Sequence, residues 1–323
     1  MSIRDQLAGR GPHRRGSGRG RRASLGVLAA IAGLSLAAPG DAAARAPVPG
    51  LLQGAVVSAT DHDTRLTVTP AGQTGGVTLS VARADDQAKV RLMAVKDQVK
   101  LNVDDLASPT QVTSVAQISR PLGTGPVLLA LFAALLALLA ASLAVTGYRP
   151  QAFVIGVDNR YSNSQCQLTL WFGTLATVYA ATVILRFLWL GPDFIGGVGV
   201  TGNVMALTGL SALSFGGAKV ITTQKADDPK QAAAAPVDAA KPDLLHDLVQ
   251  DASGRADLGD FQMILITLTA VAIFGLASFH FLTTLPVETA TTLPDVDTTL
   301  LSGFGLGQGA YLLKKAASPL GKG

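Results

Sequence analysis

Residues 126–146 read PVLLALFAALLALLAASLAVT, twenty-one residues without a charge and almost entirely leucine and alanine. Hydrocarbon about 30 Å thick is crossed by about 20 residues of helix rising 1.5 Å each. The stretch therefore predicts a membrane-crossing helix and decides the class of fold. Four further apolar blocks follow it, at 167–190, 198–218, 261–283 and 298–313; the last is short and rich in glycine. The chain is 48% hydrophobic but only 15% charged, where an ordinary soluble domain carries about 25% charged residues. The expected class is an α-helical integral membrane protein with about five transmembrane helices, its first partner being the lipid bilayer.

On the N-terminal side the texture changes twice. Arg4, Arg10, Arg14, Arg15, Arg19, Arg21 and Arg22 precede an Ala/Leu/Gly-rich run at 23–38 that is too short for a comfortable span. A basic region, a short apolar run and small residues at Ala44 and Ala46 make residues 1–46 read as a secretory signal peptide, with an uncleaved signal anchor as the rival. Either reading places residues 47–122 outside the cytoplasm. There Val56-Val57, Leu66/Val68, Val77/Leu79/Val81, Val90/Leu92 and Val99/Leu101/Val103 alternate with polar residues, and Thr-, Gly- and Asp-rich breaks separate them. Period-two runs between turn residues predict short half-buried strands, and hence a small N-terminal all-β extracytoplasmic domain of sandwich size. His62, between Asp61 and Asp63, reads as a solvated turn. The basic N-terminus leads into no nucleic-acid-reading module, so no nucleic acid is expected as a partner.

Flanking charge orients the spans. Arg149 and Arg160 lie between the first two; Lys219, Lys225, Lys230, Lys241 and Arg255 lie between the third and fourth; Lys314-Lys315 close the fifth. The alternate segments 191–197 and 284–297 contain no lysine or arginine but carry Asp193, Glu288, Asp295 and Asp297. Basic residues collect on the cytoplasmic side, so the β domain is expected outside a bacterial plasma (inner) membrane, with the tail 316–323 cytoplasmic. Trp171 and Trp189 read as interfacial residues at opposite ends of the second span, and Arg186 as a snorkelling side chain near its outer end.

A repeat runs through the helical part. Gln167 opens the second span and Gln262, 95 residues later, the fourth; Gly209-Leu-Ser211 matches Gly305-Leu-Gly307 at an offset of 96, as Phe215 matches Tyr311 and Lys219 matches Lys315. This divides the region into a first hairpin unit (147–218), a cytoplasmic loop (219–260) whose segment 226–243 reads as a disordered linker, and a second hairpin unit (261–315). Both hairpins would run inside–outside–inside, as parallel repeats. Gln167 and Gln262 are expected at the inner interface, with Lys219 and Lys315 at the inner ends of the returning helices. Gly209, Ser211, Gly216, Gly303, Gly305, Gly307 and Gly309 permit close helix packing, either of the third span on the fifth or in a homo-oligomer. Gln308 is the strongly polar residue of that face and the residue to weigh for a polar pathway.

The pattern Asp158-Asn-Arg-Tyr-Ser-x-Ser164 before Gln167-x-x-x-Trp171, together with Leu306-Gly-Gln-Gly-Ala-Tyr-Leu-x-Lys-Lys315, resembles a group of uncharacterised bacterial multi-pass membrane proteins from about residue 155 to the end. The resemblance implies a multi-pass membrane topology and carries no activity with it. Asp158 to Ser164 also suits a turn and helix cap, or a cytoplasmic contact site.

Chemistry is sparse. Gly209-Leu-Ser211 and His280 evoke an intramembrane serine protease, but Ser211 lies about 10 Å and His280 about 28 Å from the inner helix ends, too far apart for the contact of about 3 Å that such a pair needs. Leu258-Gly-Asp260 evokes an aspartyl protease but lacks a second intramembrane aspartate. The one cysteine, Cys166, excludes an intrachain disulfide and reads as a small residue at a helix start. No phosphate loop or zinc motif is present, and no cofactor is expected. The reading is therefore a non-enzymatic anchor or scaffold with an unknown protein partner; the alternative is a small channel or transporter built from the duplicated hairpins.

Overall fold

A computed structural model describes residues 47–60, 63–156, 159–226, 242–250 and 255–317. The expected signal peptide, His62, Asp158, most of the 226–243 linker and the last six residues lie outside these.

The first five strands are β1 (Gly50–Thr60), β2 (Arg65–Pro70), β3 (Val77–Val81), β4 (Gln98–Val103) and β5 (Gln111–Pro121). They hydrogen-bond in the order β3-β2-β1-β4-β5, and a short parallel pairing of Ser80 and Val81 with Gln111 and Val112 joins the two ends. The result is a closed five-stranded barrel, not the expected sandwich. Its connectivity, with helix α1 (Ala84–Val90) between β3 and β4, is that of the OB-type barrel. Leu66, Val68, Leu79, Val81, Val99, Leu101 and Val103 alternate inward as the sequence predicts and fill the core. Val90 departs from the strand reading: it ends α1, and Leu92 follows the helix. The sequence Ala84-Asp-Asp-Gln places acidic residues in the first turn, where they favour a helix N-terminus. Strand β5 buries Val112, Val115 and Ile118 at intervals of three, because its register with β4 shifts twice.

Six α-helices follow among the described residues: α2 (Thr124–Val145), α3 (Asn163–Leu190), α4 (Gly202–Ala226), α5 (Leu244–Val249), α6 (Leu258–Thr283) and α7 (Thr298–Ala317). Four of them, α2, α3, α4 and α6, are long and apolar enough to cross a membrane. The expected fifth span, α7, is 20 residues long and is not among the four. Helices α3, α4, α7 and α6 surround a common core, each packing on its two neighbours, with α2 laid against α3. The third apolar block begins later than the hydropathy suggests: Val198–Gly199 is a strand, β6, paired in parallel with β8 (Thr291–Thr292). The helix that follows runs on through Lys219 into the expected loop, and α5 lies within that loop as well.

The barrel is continuous with the bundle. Leu122 and Gly123 alone separate β5 from α2, and β7 (Thr284–Pro286), directly after α6, adds a strand to the other side of β5. Val287 donates its amide to the Ile118 carbonyl and its side chain enters the barrel core. The bundle thus has a barrel end, beside the barrel, and an opposite, far end.

Candidate functional site in the helical bundle

At the barrel end two loops interlock. Arg186, one turn before the end of α3, is fully buried, so it does not snorkel. Its Nε donates to the Phe194 carbonyl at 2.8 Å, and Nη2 to the carbonyls of Glu288 and Thr289 at 2.8 and 3.0 Å. Nη1 reaches the Pro286 carbonyl at 3.4 Å, and the guanidinium lies 5.6 Å from the Phe194 ring centre. A fork of donors on a planar cation can satisfy several carbonyls at once, which is how one side chain holds both loops. Gly197 makes the crossing possible: at φ +74° it passes so close to Thr289 that a Cβ there would sit 2.2 Å from its carbonyl oxygen. Beyond it, Thr201 and Asn203 donate to Asp295 at 2.6 and 3.0 Å.

Below this cap the core is apolar. Trp171, Phe274, Phe304, Val204 and Leu207 are buried together, with the Trp171 and Phe274 ring centres 5.4 Å apart. Trp171 is thus not interfacial. It faces inward, and its indole Nε1 donates to Thr208 Oγ1 at 2.9 Å.

One turn nearer the far end, the interior becomes polar. The Trp171–Thr208 bond sets the antiparallel register of α3 and α4 and brings Gln167 level with residue 212. Gly305 lies against Leu210, and Gly217 against Leu312; these contacts set the parallel register of α4 and α7 and bring 212 level with 307. Gln167, Ser211 and Gln308 therefore share one layer, and all three are buried. Ser211 Oγ donates to the Leu207 carbonyl at 3.0 Å. Neither polar atom of the Gln167 or Gln308 carboxamide has a hydrogen-bond partner among the described residues.

The far end carries a charge cluster. Asp257 caps α6 by accepting from the amides of Gly259 and Asp260 at 2.9 and 3.2 Å. Lys314 contacts Asp257 and also donates to Asp260 at 3.0 Å. Burial pushes the Asp257 carboxyl up, but Lys314 and the two amides outweigh it and hold it below its usual range. Helix α5 is fastened here: Asp247 accepts from the Tyr161 amide at 3.1 Å, and Asn163 Nδ2 donates to the Leu248 carbonyl at 3.1 Å.

The expected site residues divide accordingly. Gly305 and Gly307 face neighbouring helices, whereas a Cβ on Gly209, Gly216, Gly303 or Gly309 would meet nothing within 4 Å. Gln262 is exposed while Gln167 is buried, so the two glutamines are not counterparts. The buried stripes of α3 and α6 coincide instead at an offset of 96, which sets Gln167 against Met263. Lys219 and Lys315 share a local arrangement, each ammonium lying about one turn beyond an aromatic ring, 6.0 Å from Phe215 and 5.7 Å from Tyr311. Cys166 is a buried thiol in the first turn of α3. Ser211 and His280 do not meet: Ser211 shares a level with Ile266 through Gly307, and His280 lies fourteen residues, about 21 Å, further along α6. Among the described residues no group of three or more His, Cys, Asp and Glu side chains is placed to hold a metal.

Sequence reasoning picked out Arg186 but as a snorkelling side chain rather than a buried clamp on carbonyls, and it missed the pairing of Arg120 with Asp97 altogether. The sequence marks Arg186 only as a charge inside an apolar block. In comparisons with protein-family models, curated proteins and solved structures, nothing matches the chain. What defines it is its architecture: a small closed barrel built into a helical bundle, four of whose helices could cross a membrane.

Proposed function

We propose that the chain is a multi-pass protein of a bacterial plasma membrane that holds its barrel outside and its far end in the cytoplasm, as a non-enzymatic anchor for a protein partner. The observation that carries this reading is the pairing of β5 with β7. A displayed domain on a loose linker needs no such pairing; a domain that must keep a fixed orientation to the membrane does. Arg120 supports it by tying β5 to the Trp189 carbonyl at the end of α3. The orientation is supported by charge: Arg149, Arg160, Lys219, Arg255, Lys314 and Lys315 belong to the far half, and Asp193, Glu288, Asp295 and Asp297 to the barrel-end loops, as the positive-inside rule requires.

A channel is disfavoured by the buried layer of Trp171, Phe274, Phe304, Leu207 and Val204, which fills the interior between the polar layer and the barrel end. Purification of the full chain from mild detergent tests the reading. A stoichiometric partner is expected, and its recovery should fall when exposed apolar residues of the barrel, Val57 and Val95, are changed to lysine. Ion or solute flux through reconstituted vesicles, abolished by Gln308→Leu, would overturn it. A periplasm-active reporter that functions at residue 240 would reverse the orientation.

A further inference from the structure

The geometry points to a short water-filled inlet that enters the bundle at the far end, runs along the first turns of α3, and ends on the carboxamides of Gln167 and Gln308. Both glutamines are at least 97% buried and level with each other, and all four of their polar side-chain atoms lack a partner among the described residues. Buried polar atoms are nearly always hydrogen-bonded to protein or to ordered water. Two carboxamides at one level of the interior offer the donors and acceptors that hold internal water.

Polar groups line the approach on two helices: Asp260, in the first turn of α6, is buried near Asn163 at the start of α3. Asn163, Ser164 and Gln167 are buried in succession along the start of α3, about 6 Å of helix from first to last. Met263, Ala218 and Tyr311 form a small apolar cluster in the same part of the bundle. Small residues occupy this part of α4 and α7, with Ser211, Ser214 and Gly307 close in height to the glutamines. Toward the barrel it is shut by Trp171 and Phe304, one turn beyond Gln167 and Gln308 respectively. The inlet is thus a dead end that takes water and water-sized hydrogen-bonding solutes from one face.

A thiol placed in the layer reads its hydration. In the full chain carrying Cys166→Ala, Ser211→Cys is close to isosteric, and Ala270→Cys puts a control thiol in the apolar core. Silver ion, which is about the size of water, is added in nitrate buffer to everted and to right-side-out membrane vesicles. Free thiols are then counted after denaturation. The thiol at 211 should be blocked at least tenfold faster than that at 270, and only from the far-end face. Adding Gln167→Leu and Gln308→Leu together should slow that blocking at least tenfold. Equal, slow reaction at 211 and 270, or blocking unaffected by the two leucines, would overturn the inlet. If Ser211→Cys does not fold, Gln308→Cys reports on the same layer by the same criterion.

Discussion

Arg120 donates through Nε and Nη2 to the two carboxylate oxygens of Asp97, at 2.9 Å each, while Nη1 reaches the Trp189 carbonyl at 2.7 Å. One side chain thus ties β5 to Asp97, which lies just before β4 and is 1% exposed, and joins both to the end of α3. Removing one partner of a buried ion pair strands the other charge, at a cost of about 3–5 kcal/mol. Arg120→Ala should therefore lower the stability of the barrel by that order and make the segment around β7 open to protease in mild detergent. Arg120→Ala with Asp97→Ala should cost less than Arg120→Ala alone. Thermal melts of the three variants check both statements.

Arg186 reads the other side of the same junction. Its donors are spread over carbonyls from two loops, and a lysine ammonium, a point charge on a flexible stem, cannot reach all of them. Arg186→Lys should keep the bundle folded but loosen the 286–297 segment, since a buried acceptor left unpaired costs about 1–3 kcal/mol. The measurement is the labelling rate of a cysteine placed at the buried Val296, which should rise at least tenfold in Arg186→Lys.

Two glycine substitutions should differ in sign. Gly197→Ala forces a Cβ to within 2.2 Å of the Thr289 oxygen at a φ of +74°, and strain of this kind costs about 1–3 kcal/mol. Gly209→Ala meets nothing within 4 Å and removes a helix-interior glycine, worth up to about 1 kcal/mol in the opposite direction. Melting temperatures should fall for the first and hold or rise for the second. A fall for the second would mean that Gly209 faces another copy of the chain.

Particular residues show where the sequence was readable. Leu66/Val68 and Val99/Leu101/Val103 gave their strands away because regular pleating keeps one face buried at period two. Val112, Val115 and Ile118 concealed β5, because two register shifts turn that period into three. The apolar blocks fixed four helices by length alone, but hydropathy sees only average surroundings. It could not tell that Trp171 faces a packed core, that Arg186 is satisfied by carbonyls from residues about 100 positions away, or that Val198 starts a strand. The polar layer is half legible: Gln308 stands out as a polar residue among glycines, but the sequence repeat sets Gln167 against Gln262 instead of Met263. A one-residue slip on a helix moves a side chain by 100°, enough to carry it from the core to the surface.

Asp104 gives the barrel an acid-sensitive turn. Thr110 Oγ1 donates to one carboxylate oxygen at 2.5 Å, and the amides of Gln111 and Thr110 donate to the other at 2.9 and 3.0 Å. These bonds hold the carboxyl well below its ordinary value of 3.8. A folded value below the unfolded one contributes stability that is present above about pH 4 and is lost as pH falls through the folded value. Asp104→Asn should therefore be less stable than the parent at neutral pH, and the difference should shrink in melts taken from pH 5 downward. A gap that stays constant to pH 2 would mean that the ionised form has no advantage in this turn.

Lys314 tests whether the far-end cluster stabilises or merely tolerates its charges. Asp257 earns its place as the α6 cap, but Asp260 is 6% exposed and forms an ion pair with Lys314 at 3.0 Å. Lys314→Met should therefore destabilise α6 and α7 by about 3–5 kcal/mol, the penalty of breaking rather than replacing a buried pair. Replacing the pair outright, with Lys314→Met and Asp260→Leu together, removes both desolvation costs and leaves Asp257 to cap the helix. That variant should recover most of the lost stability in detergent melts. If it recovers none, the ion pair itself supplies net stability at this end of the bundle, and the apolar pair cannot take its place.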